Sequence, residues 1–380
     1  MEEKPRLIDS FLFRAALVFA LLLPVLLRRD LTPTNEMKYL EIADEALRDG
    51  HFWCLFHNGE MYADKPPLYI WIVMLSKLVF GRHCVFLLEM LSLIPAFITL
   101  WVLERWCGGE LPGRYRLAAF YSLMGAAWFL GSAIVLRMDM MMTMFITLSL
   151  RTFWKMYTGD GRPADRWLFP LYVFLAIFSK GHVGIMIPLL CIPVFLLFRK
   201  DIRFMGRVWG WRSWLLLAVL CGIWWFCVWK EGGAEYLNNL LFHQTAGRAV
   251  NAFHHKEPLW YYCYTIWYAL APASLIVLPV IFLALFRKMR FPSLVQFFLI
   301  VSATFFVIMS AVSGKIAVYL LPIFGPLCYA ASMLLRQMEE EGAARPARTL
   351  SCALAVAGGA VLAVAFVIGI FFPGWMNSLL

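Results

Sequence analysis

Long apolar runs separated by short polar segments make up most of this chain. Ten runs are long enough for a helix to cross a bilayer, which takes roughly 17–25 residues. They cover residues 11–27, 84–104, 115–136, 138–154, 182–198, 213–229, 258–286, 293–313, 316–335 and 350–372. A shorter run at 167–179 brings the predicted number of crossings to eleven. A further apolar stretch, 66–80, fits either another crossing or a helix at the membrane surface.

The basic residues decide how to interpret 66–80, because Lys and Arg stay on the cytoplasmic side of membrane spans. With a cytoplasmic N-terminus and eleven crossings, six short inner segments contain 20 of the 34 Lys and Arg residues. These segments are 1–14, 105–116, 155–166, 199–212, 287–292 and 336–348. A crossing at 66–80 would put the five basic residues of 199–212 outside. The pattern therefore predicts an all-α polytopic bundle of about eleven transmembrane helices, with 66–80 at the outer surface.

The amino-acid composition excludes several classes of protein. Hydrophobic residues make up 62% of the chain and charged residues 15%, whereas soluble globular proteins contain about 25% charged residues. A soluble enzyme, a disordered chain and a nucleic-acid binder are therefore excluded. The net charge is +10, and the nine cysteines contain no C-x-x-C pair, which is typical of small buried hydrophobic residues. We expect one membrane domain over 1–380.

Two long outer loops, 28–82 and 230–257, contain the candidate chemistry. All seven histidines fall on this side of the membrane or at its edge. From Asn35 to Leu47, apolar positions recur at helical spacing, which predicts an amphipathic helix that Asn35 caps. Glu36 lies in its first turn, where the helix dipole favours an anion. Glu36 is thus either a capping charge or a functional carboxylate.

Lys65 lies in the motif Asp64-Lys65-Pro66-Pro67 of the first outer loop. Two prolines hold the backbone extended and fix the direction of the preceding side chain. The alternative is an interfacial lysine that extends its ammonium toward the lipid head groups. The rigid backbone at the two prolines favours Lys65 as a site residue over an interfacial lysine.

Further basic residues lie at the outer ends of predicted spans. Arg137-Met138-Asp139 interrupts a continuous apolar stretch, and charges there are costly unless they pair or serve a site. Ion pairs of Arg137 with Asp139 or Glu60 are the alternative to a site. The basic residues outnumber nearby carboxylates, which favours a cavity for an anionic group such as phosphate. Its predicted basic residues are Lys65, Arg137, Lys180, Arg248 and Lys315.

The second outer loop combines basic and aromatic residues, which suits a polar head group at the bilayer edge. The aromatic residues also match an ordinary interfacial belt. His254-His255 raises the alternative of a divalent metal site, with His57, Glu60 and Asp64 as further ligands. Adjacent histidines on a loop point apart, so this signal is weak, and no cofactor is otherwise expected.

The motifs follow one another in an order that resembles the aminoarabinose transferase branch of the GT-C membrane glycosyltransferases, which are related to protein O-mannosyltransferases. The match covers about 28–335. The matching motifs are Asn35-Glu36-x-x-Tyr39, Tyr62-x-Asp64-Lys65-Pro66-Pro67-Leu68-x-x-Trp71, Arg137-x-Asp139, Lys180-Gly181, Arg248, His255-Lys256-x-Pro258-x-x-Tyr261-Tyr262 and Lys315-x-x-x-Tyr319-x-x-Pro322.

The resemblance implies a GT-C fold and an inverting sugar transfer from a polyprenyl-phosphate donor. The acceptor would be a lipid A-like lipid, another glycan or a protein, at the periplasmic face of the bacterial inner membrane. It also implies a membrane-embedded enzyme, which we expect to be monomeric, in which Lys65 and other basic residues hold the donor phosphate. The substrate-binding candidates are then Tyr39, Tyr62, Asp64, His255, Tyr261 and Tyr319.

The chain departs from this family at the first motif. The family usually has Asp-Glu where this chain has Asn35-Glu36, and an amide cannot act as a general base. The catalytic candidates are Glu36, Asp139 and the neighbouring Asn35, unless the acceptor arrives already ionised. The chain is also shorter than the larger relatives, which implies a form without their C-terminal periplasmic domain.

A transporter or flippase for lipid-linked sugars is the alternative function. Such a protein would also contain buried charges and a basic cavity, but transporters tend to show internal repeats. No repeat is visible, and the charges gather at one face rather than at mid-membrane. A purely structural membrane protein comes third, because it has no need of several cations at span ends.

Overall fold

The apolar runs fold into helices, several of them interrupted. The structure is a computed structural model that describes residues 7–243 and 257–374. Its α-helices are α1 Phe11–Arg28, α2 Lys38–Asp49, α3 Leu68–Phe80, α4 Val85–Cys107, α5 Gly113–Met124, α6 Ala127–Ile134, α7 Asp139–Thr158, α8 Asp165–Lys180, α9 Val183–Met186, α10 Ile192–Phe198, α11 Met205–Val208, α12 Trp211–Asn238, α13 Tyr261–Ala269, α14 Ser274–Phe286, α15 Ser293–Ala311, α16 Leu321–Glu340 and α17 Ala344–Phe371.

Short segments of other geometry connect these helices. Three are 3₁₀ turns, at Leu7–Asp9, Ile202–Phe204 and Ala317–Leu320, and three are π-helical, at Pro33–Met37, Ile187–Cys191 and Asn239–His243. One antiparallel hairpin pairs β1 Phe56–His57 with β2 Glu60–Met61, in a register that places Phe56 opposite Met61.

Six helical segments of the described residues are long and apolar enough to cross a membrane. They are Phe11–Arg28, Val85–Cys107, Trp211–Leu241, Ser293–Ala311, Ala317–Glu340 and Ala344–Phe371. The bent pair α5 and α6 makes a seventh if it counts as one span. The all-α membrane fold is thus confirmed, whereas the predicted count of eleven crossings is not confirmed and stays a prediction.

Two predicted spans are broken at positions that contact each other. The run at 115–136 forms α5 and α6, which meet at an angle of 64°. The run at 258–286 forms α13 and α14, separated by 270–273. The Ala127 N–H donates to the Ala271 carbonyl at 2.8 Å, so each break satisfies a backbone group that the other leaves open. Apolar length alone does not reveal such breaks.

Helix α16 lies in the core and is buried along nearly its whole length. At the edge of the bundle, α17 packs against α1 and α5. A Cβ atom on Gly358 would lie 2.0 Å from the Tyr121 carbonyl oxygen, so this close approach of α17 to α5 requires glycine. A buried ion pair between Arg14 and Glu104 joins α1 to α4.

The first outer loop contains the two predicted surface helices, α2 and α3. α2 buries its apolar face, including Ile42 and Ala43, as the amphipathic pattern predicted. Asn35 does not cap this helix, because the chain already turns into a π-helical segment at Pro33. Asp44 of α2 accepts from Lys77 of α3 at 2.7 Å, which fixes the two helices against each other.

Candidate functional site

A cavity of about 1150 Å³ lies where the first outer loop meets the helix ends. Its walls come from the turn before α2, the segment between β2 and α3, the α6–α7 link, the α8–α9 turn, α12 and the segment before α16. The fold therefore brings separate motifs together around one space. The predicted site residues that line it are Asn35, Tyr39, Tyr62, Asp64, Lys65, Arg137, Asp139, Lys180 and Tyr319.

Asp139 organises the most charged wall of this cavity. Its Oδ2 accepts from Arg137 Nε at 3.2 Å, and its Oδ1 accepts from Lys180 Nζ. Lys180 is the last residue of α8, since Gly181 adopts a φ of 89° and stops the helix. The Arg137–Asp139 ion pair considered as an alternative is present, but both residues also line the cavity. Protonation of Asp139 would cost two ion pairs, so its geometry suits an organising carboxylate.

Lys65 is positioned by the β-hairpin and by α3. The turn between the strands consists of Asn58 and Gly59, whose φ angles of 55° and 76° give the turn that two-residue hairpins favour. Glu45 accepts both of their N–H groups at 2.8 Å, which ties the hairpin to α2. Lys65 Nζ lies 3.1 Å from Asp64 Oδ2, and both side chains line the cavity instead of pointing away from the protein.

A buried network that we call the Arg29 triad lies beneath the cavity and consists of Arg29, Glu36 and Glu89. All three side chains are 0% exposed. Arg29 donates to both oxygens of Glu36 at 2.6 and 2.7 Å and to Glu89 Oε1 at 2.9 Å. The triad therefore connects the end of α1 with the π-helical turn and with α4.

Glu36 extends this network to the opposite wall. Its Oε1 accepts the Leu136 N–H at 2.6 Å, directly before Arg137, and its Oε2 accepts the Thr32 N–H at 2.7 Å. Burial raises the pKa of Glu36, but the hydrogen bonds and charge of Arg29 outweigh that effect and hold the pKa below its usual value. Glu36 does not line the cavity. The geometry suits a positioning carboxylate rather than the proton acceptor considered from the sequence.

Several predicted site residues do not line the cavity as far as the structure describes it. Lys315 Nζ donates to the Glu257 carbonyl at 2.9 Å, and Tyr261 packs against Tyr262 with ring centroids 5.1 Å apart. Arg248 and His255 lie outside the described residues.

The proposed metal ligands do not form a complete set. His57 lies opposite Glu60 in the hairpin, but its Nε2 lies 3.0 Å from Glu41 Oε2. Within 7–243 and 257–374, no group of three or more His, Cys, Asp or Glu side chains is arranged to hold a metal ion. His254 is outside the described residues.

Lys38 and His182 are titratable lining residues that were not among the predicted site residues. Lys38 occupies a variable position of the motif Asn35-Glu36-x-x-Tyr39, so the motif drew no attention to it. Its ammonium lies 4.5 Å from the centroid of the Tyr62 ring. Lys180 has the same relation to Tyr319, at 4.9 Å, and both are cation–π distances.

The C-terminal part of α12 holds the segment that leads into the cavity. Tyr236 Oη accepts the Leu55 N–H at 2.8 Å and lies 3.1 Å from the Tyr62 carbonyl oxygen, to which it can donate. Glu231 accepts the N–H groups of Trp53 and Cys54, at 3.0 and 2.8 Å. These contacts could not be predicted from the sequence, because they join residues about 175 positions apart through the backbone of a loop.

The remaining part of the cavity is apolar. Ile177 of α8, one turn before Lys180, lines this part, and α8 packs against α12 where Phe178 and Trp224 have ring centroids 5.2 Å apart. The α12 lining residues are Trp214, Leu217, Ala218, Cys221, Trp224 and Trp225. Trp214 and Trp225 are exposed. The cavity thus combines a charged end with an apolar channel along α12.

Solved structures show which fold this is. ArnT from Cupriavidus metallidurans bound to undecaprenyl phosphate superimposes with a TM-score of 0.74 over 97% of this chain and 71% of that chain, at 20% identity. The apo state of the same ArnT gives a TM-score of 0.72. This chain has the ArnT fold. The resemblance predicted from the motif order is thereby confirmed at the level of fold.

Sequence comparisons agree with this result. The undecaprenyl phosphate-alpha-4-amino-4-deoxy-L-arabinose arabinosyl transferase of Shewanella sediminis is 26% identical over 321 residues, which is 80% of this chain and 56% of that protein. The transferase of the same name from Pseudomonas savastanoi pv. phaseolicola is 24% identical over 345 residues, 90% and 63%. No family model matches. The chain spans a little over half the length of the relatives that it matches. These relatives and the apolar helices of the chain together support a multi-pass bacterial inner-membrane protein.

The Arg29 triad predicts a pH-dependent contribution of Glu36 to stability. Because its folded pKa lies below the unfolded value of 4.5, ionised Glu36 stabilises the fold above that pH, and this stabilisation is lost as the pH falls through the folded pKa. Glu36→Gln should therefore lower the melting temperature in detergent at pH 7, and the difference should shrink below about pH 4.5. Exposed Glu60→Gln is the control. A melting difference that does not change with pH would contradict this assignment.

The α12 contacts predict that Tyr236→Phe loosens the segment that leads to Lys65. Removal of the hydroxyl leaves the buried Leu55 N–H without its acceptor, which costs about 1–3 kcal/mol. Hydrogen–deuterium exchange of residues 52–65 should then become roughly tenfold faster or more. The matched control is Tyr329→Phe, since that hydroxyl is equally buried but donates to Leu100 in the core. Equal exchange in both variants would refute the positioning role of Tyr236.

Proposed function

We propose that this chain is an inverting glycosyltransferase that moves a sugar from a polyprenyl-phosphate donor to a phosphorylated lipid. The observation that carries the proposal is the cavity, which joins a cluster of basic residues to an apolar channel. A polyprenyl phosphate has the same two parts, an anionic head and a long apolar tail. The ArnT fold and the similar aminoarabinose transferases support the same reaction class.

The donor phosphate would lie among Lys65, Arg137 and Lys180. All three line the cavity, and each is held by a carboxylate rather than by a flexible contact. Preorganised cations stabilise the charge that develops on a leaving phosphate, since no side chain has to reorient during the reaction. The tail would extend along the wall of α12 from Trp224 toward Trp214 and the lipid.

The chemical step is a single displacement at the anomeric carbon. An oxygen of the acceptor phosphate forms the new bond to that carbon while the bond to the polyprenyl phosphate oxygen breaks, and the electron pair leaves with the polyprenyl phosphate. The acceptor phosphate becomes a diester, and the donor phosphate becomes a monoester. An ionised phosphate is already nucleophilic, so the step needs no proton acceptor, in agreement with the engaged oxygens of Glu36 and Asp139.

Within this proposal, Asp139 orients Arg137 and Lys180, and Glu36 holds the first outer loop against the α6–α7 link. Tyr39, Tyr62, Asp64 and Tyr319 line the space left for the sugar. The N-terminus lies in the cytoplasm and the cavity faces the periplasm, because this orientation places most basic residues inside. Lipid A, whose phosphates are exposed at that face, is the proposed acceptor.

The phosphate assignment predicts that Lys65→Ala abolishes transfer. Loss of one well-placed donor typically costs about 10²–10³ in rate. The measurement is turnover of undecaprenyl-phosphate aminoarabinose with lipid A by the purified protein in detergent. Lys77→Ala is the matched control, because Lys77 belongs to the same loop but pairs with Asp44 at the surface. Near-normal turnover by a folded Lys65→Ala variant would refute the assignment.

A further inference from the structure

One edge of the cavity contains an amide and an ammonium side chain that are not assigned to the donor phosphate. Asn35, in the π-helical turn, and Lys38, at the start of α2, both line the cavity. They are three residues apart at the point where the π-helical turn passes into α2, so they belong to the same edge of the cavity. Both are partly or fully accessible from the cavity side.

Lys38 differs in charge environment from the other basic residues of the described lining. Lys65 lies beside Asp64, and Arg137 and Lys180 lie beside Asp139. Lys38 has no carboxylate within ion-pair distance among the residues that the structure describes, and its ammonium lies over the Tyr62 ring. An aromatic face holds a cation in place without neutralising it. Lys38 thus presents a full positive charge to the cavity.

Because Asn35 is uncharged, it does not neutralise the positive charge of Lys38. An amide supplies two N–H donors and carries no charge, so it can bind an oxyanion together with the neighbouring ammonium. An Asp at this position would add a negative charge to the cavity edge that contains Lys38 and would lower the positive potential there. The combination of an uncharged donor and an unneutralised cation is typical of a site for a phosphate or a similar oxyanion.

The position of this edge separates it from the donor site. Ile177, one turn before Lys180 on α8, also lines the cavity, and α8 packs against α12, so a donor phosphate with its tail on α12 lies at that side. Lys38 lies at the start of α2, a different lining segment from those of Arg137 and Lys180.

We propose that Asn35 and Lys38 form a second oxyanion subsite that holds the phosphate of the acceptor. This inference rests on the proposed function and adds the location of the acceptor to it. The subsite supplies charge-assisted hydrogen bonds to two of the phosphate oxygens and leaves the third oxygen free to attack the anomeric carbon. Lys38 and Asn35 therefore determine that the acceptor is a phosphate monoester rather than a neutral hydroxyl.

The test measures donor and acceptor binding separately in the full chain in nanodiscs. The donor probe is undecaprenyl phosphate alone, and the acceptor probes are bis-phosphorylated and fully dephosphorylated lipid A, added with saturating undecaprenyl phosphate. The variants are Lys38→Gln and Asn35→Asp, with Lys77→Gln as the control outside the cavity. Intrinsic tryptophan fluorescence reports the first binding step, and thermal shift reports the second.

Both variants should weaken binding of bis-phosphorylated lipid A by about tenfold or more and change undecaprenyl phosphate affinity less than twofold. Binding of dephosphorylated lipid A should be weak in every protein. An equal loss of undecaprenyl phosphate affinity would assign Lys38 to the donor and overturn the proposal, as would no change with either probe. If the unmodified protein does not bind undecaprenyl phosphate, the proposed function itself fails, and the two failures are therefore distinguishable.

Discussion

The arrangement of the site depends on the buried guanidinium of Arg29. A charge without water must be paired and hydrogen-bonded, and removal of one partner of a buried pair is strongly destabilising. Arg29 meets this requirement by binding Glu36 and Glu89, which fixes the end of α1, the π-helical turn and α4 relative to one another. Glu36 then accepts the Leu136 N–H, so the same charge also fixes the α6–α7 link. Two walls of the cavity share one anchor.

Carboxylates and aromatic rings allow several cations to remain close together in a low-dielectric environment. Asp139 pairs with Arg137 and Lys180, and Asp64 pairs with Lys65, which offsets part of the repulsion among the basic residues. The tyrosine rings beside Lys38 and Lys180 hold their ammonium groups without adding negative charge. The result is a cavity that keeps a positive potential at one end and an apolar surface at the other, which is the distribution that a lipid-linked phosphate requires.

The sequence predicted a large part of this structure. The amphipathic pattern of 35–47 corresponds to α2, and the stretch at 66–80 forms a helix of 13 residues that is too short to count as a span. Nine predicted site residues line one cavity, because charges in apolar surroundings are retained for pairing or for a site. The role of Glu36 was not predictable, since Arg29 and Leu136, to which it is hydrogen-bonded, and Glu89, which Arg29 also binds, come from three separate segments. The breaks within the predicted spans were not predictable either, because they depend on contacts between distant segments. At one break the Ala127 N–H donates to the carbonyl of Ala271, which is far away in sequence.

The proposed function requires that this cavity bind the phosphate of a polyprenyl carrier. An electron cryomicroscopy structure of the chain in a lipid nanodisc with undecaprenyl phosphate would test this requirement. We expect phosphate density within about 4 Å of the cationic groups of Lys65, Arg137 and Lys180, with the isoprenoid chain along Trp224 and Trp214. Phosphate density at any other place, with this cavity empty of lipid, would refute the proposed donor site.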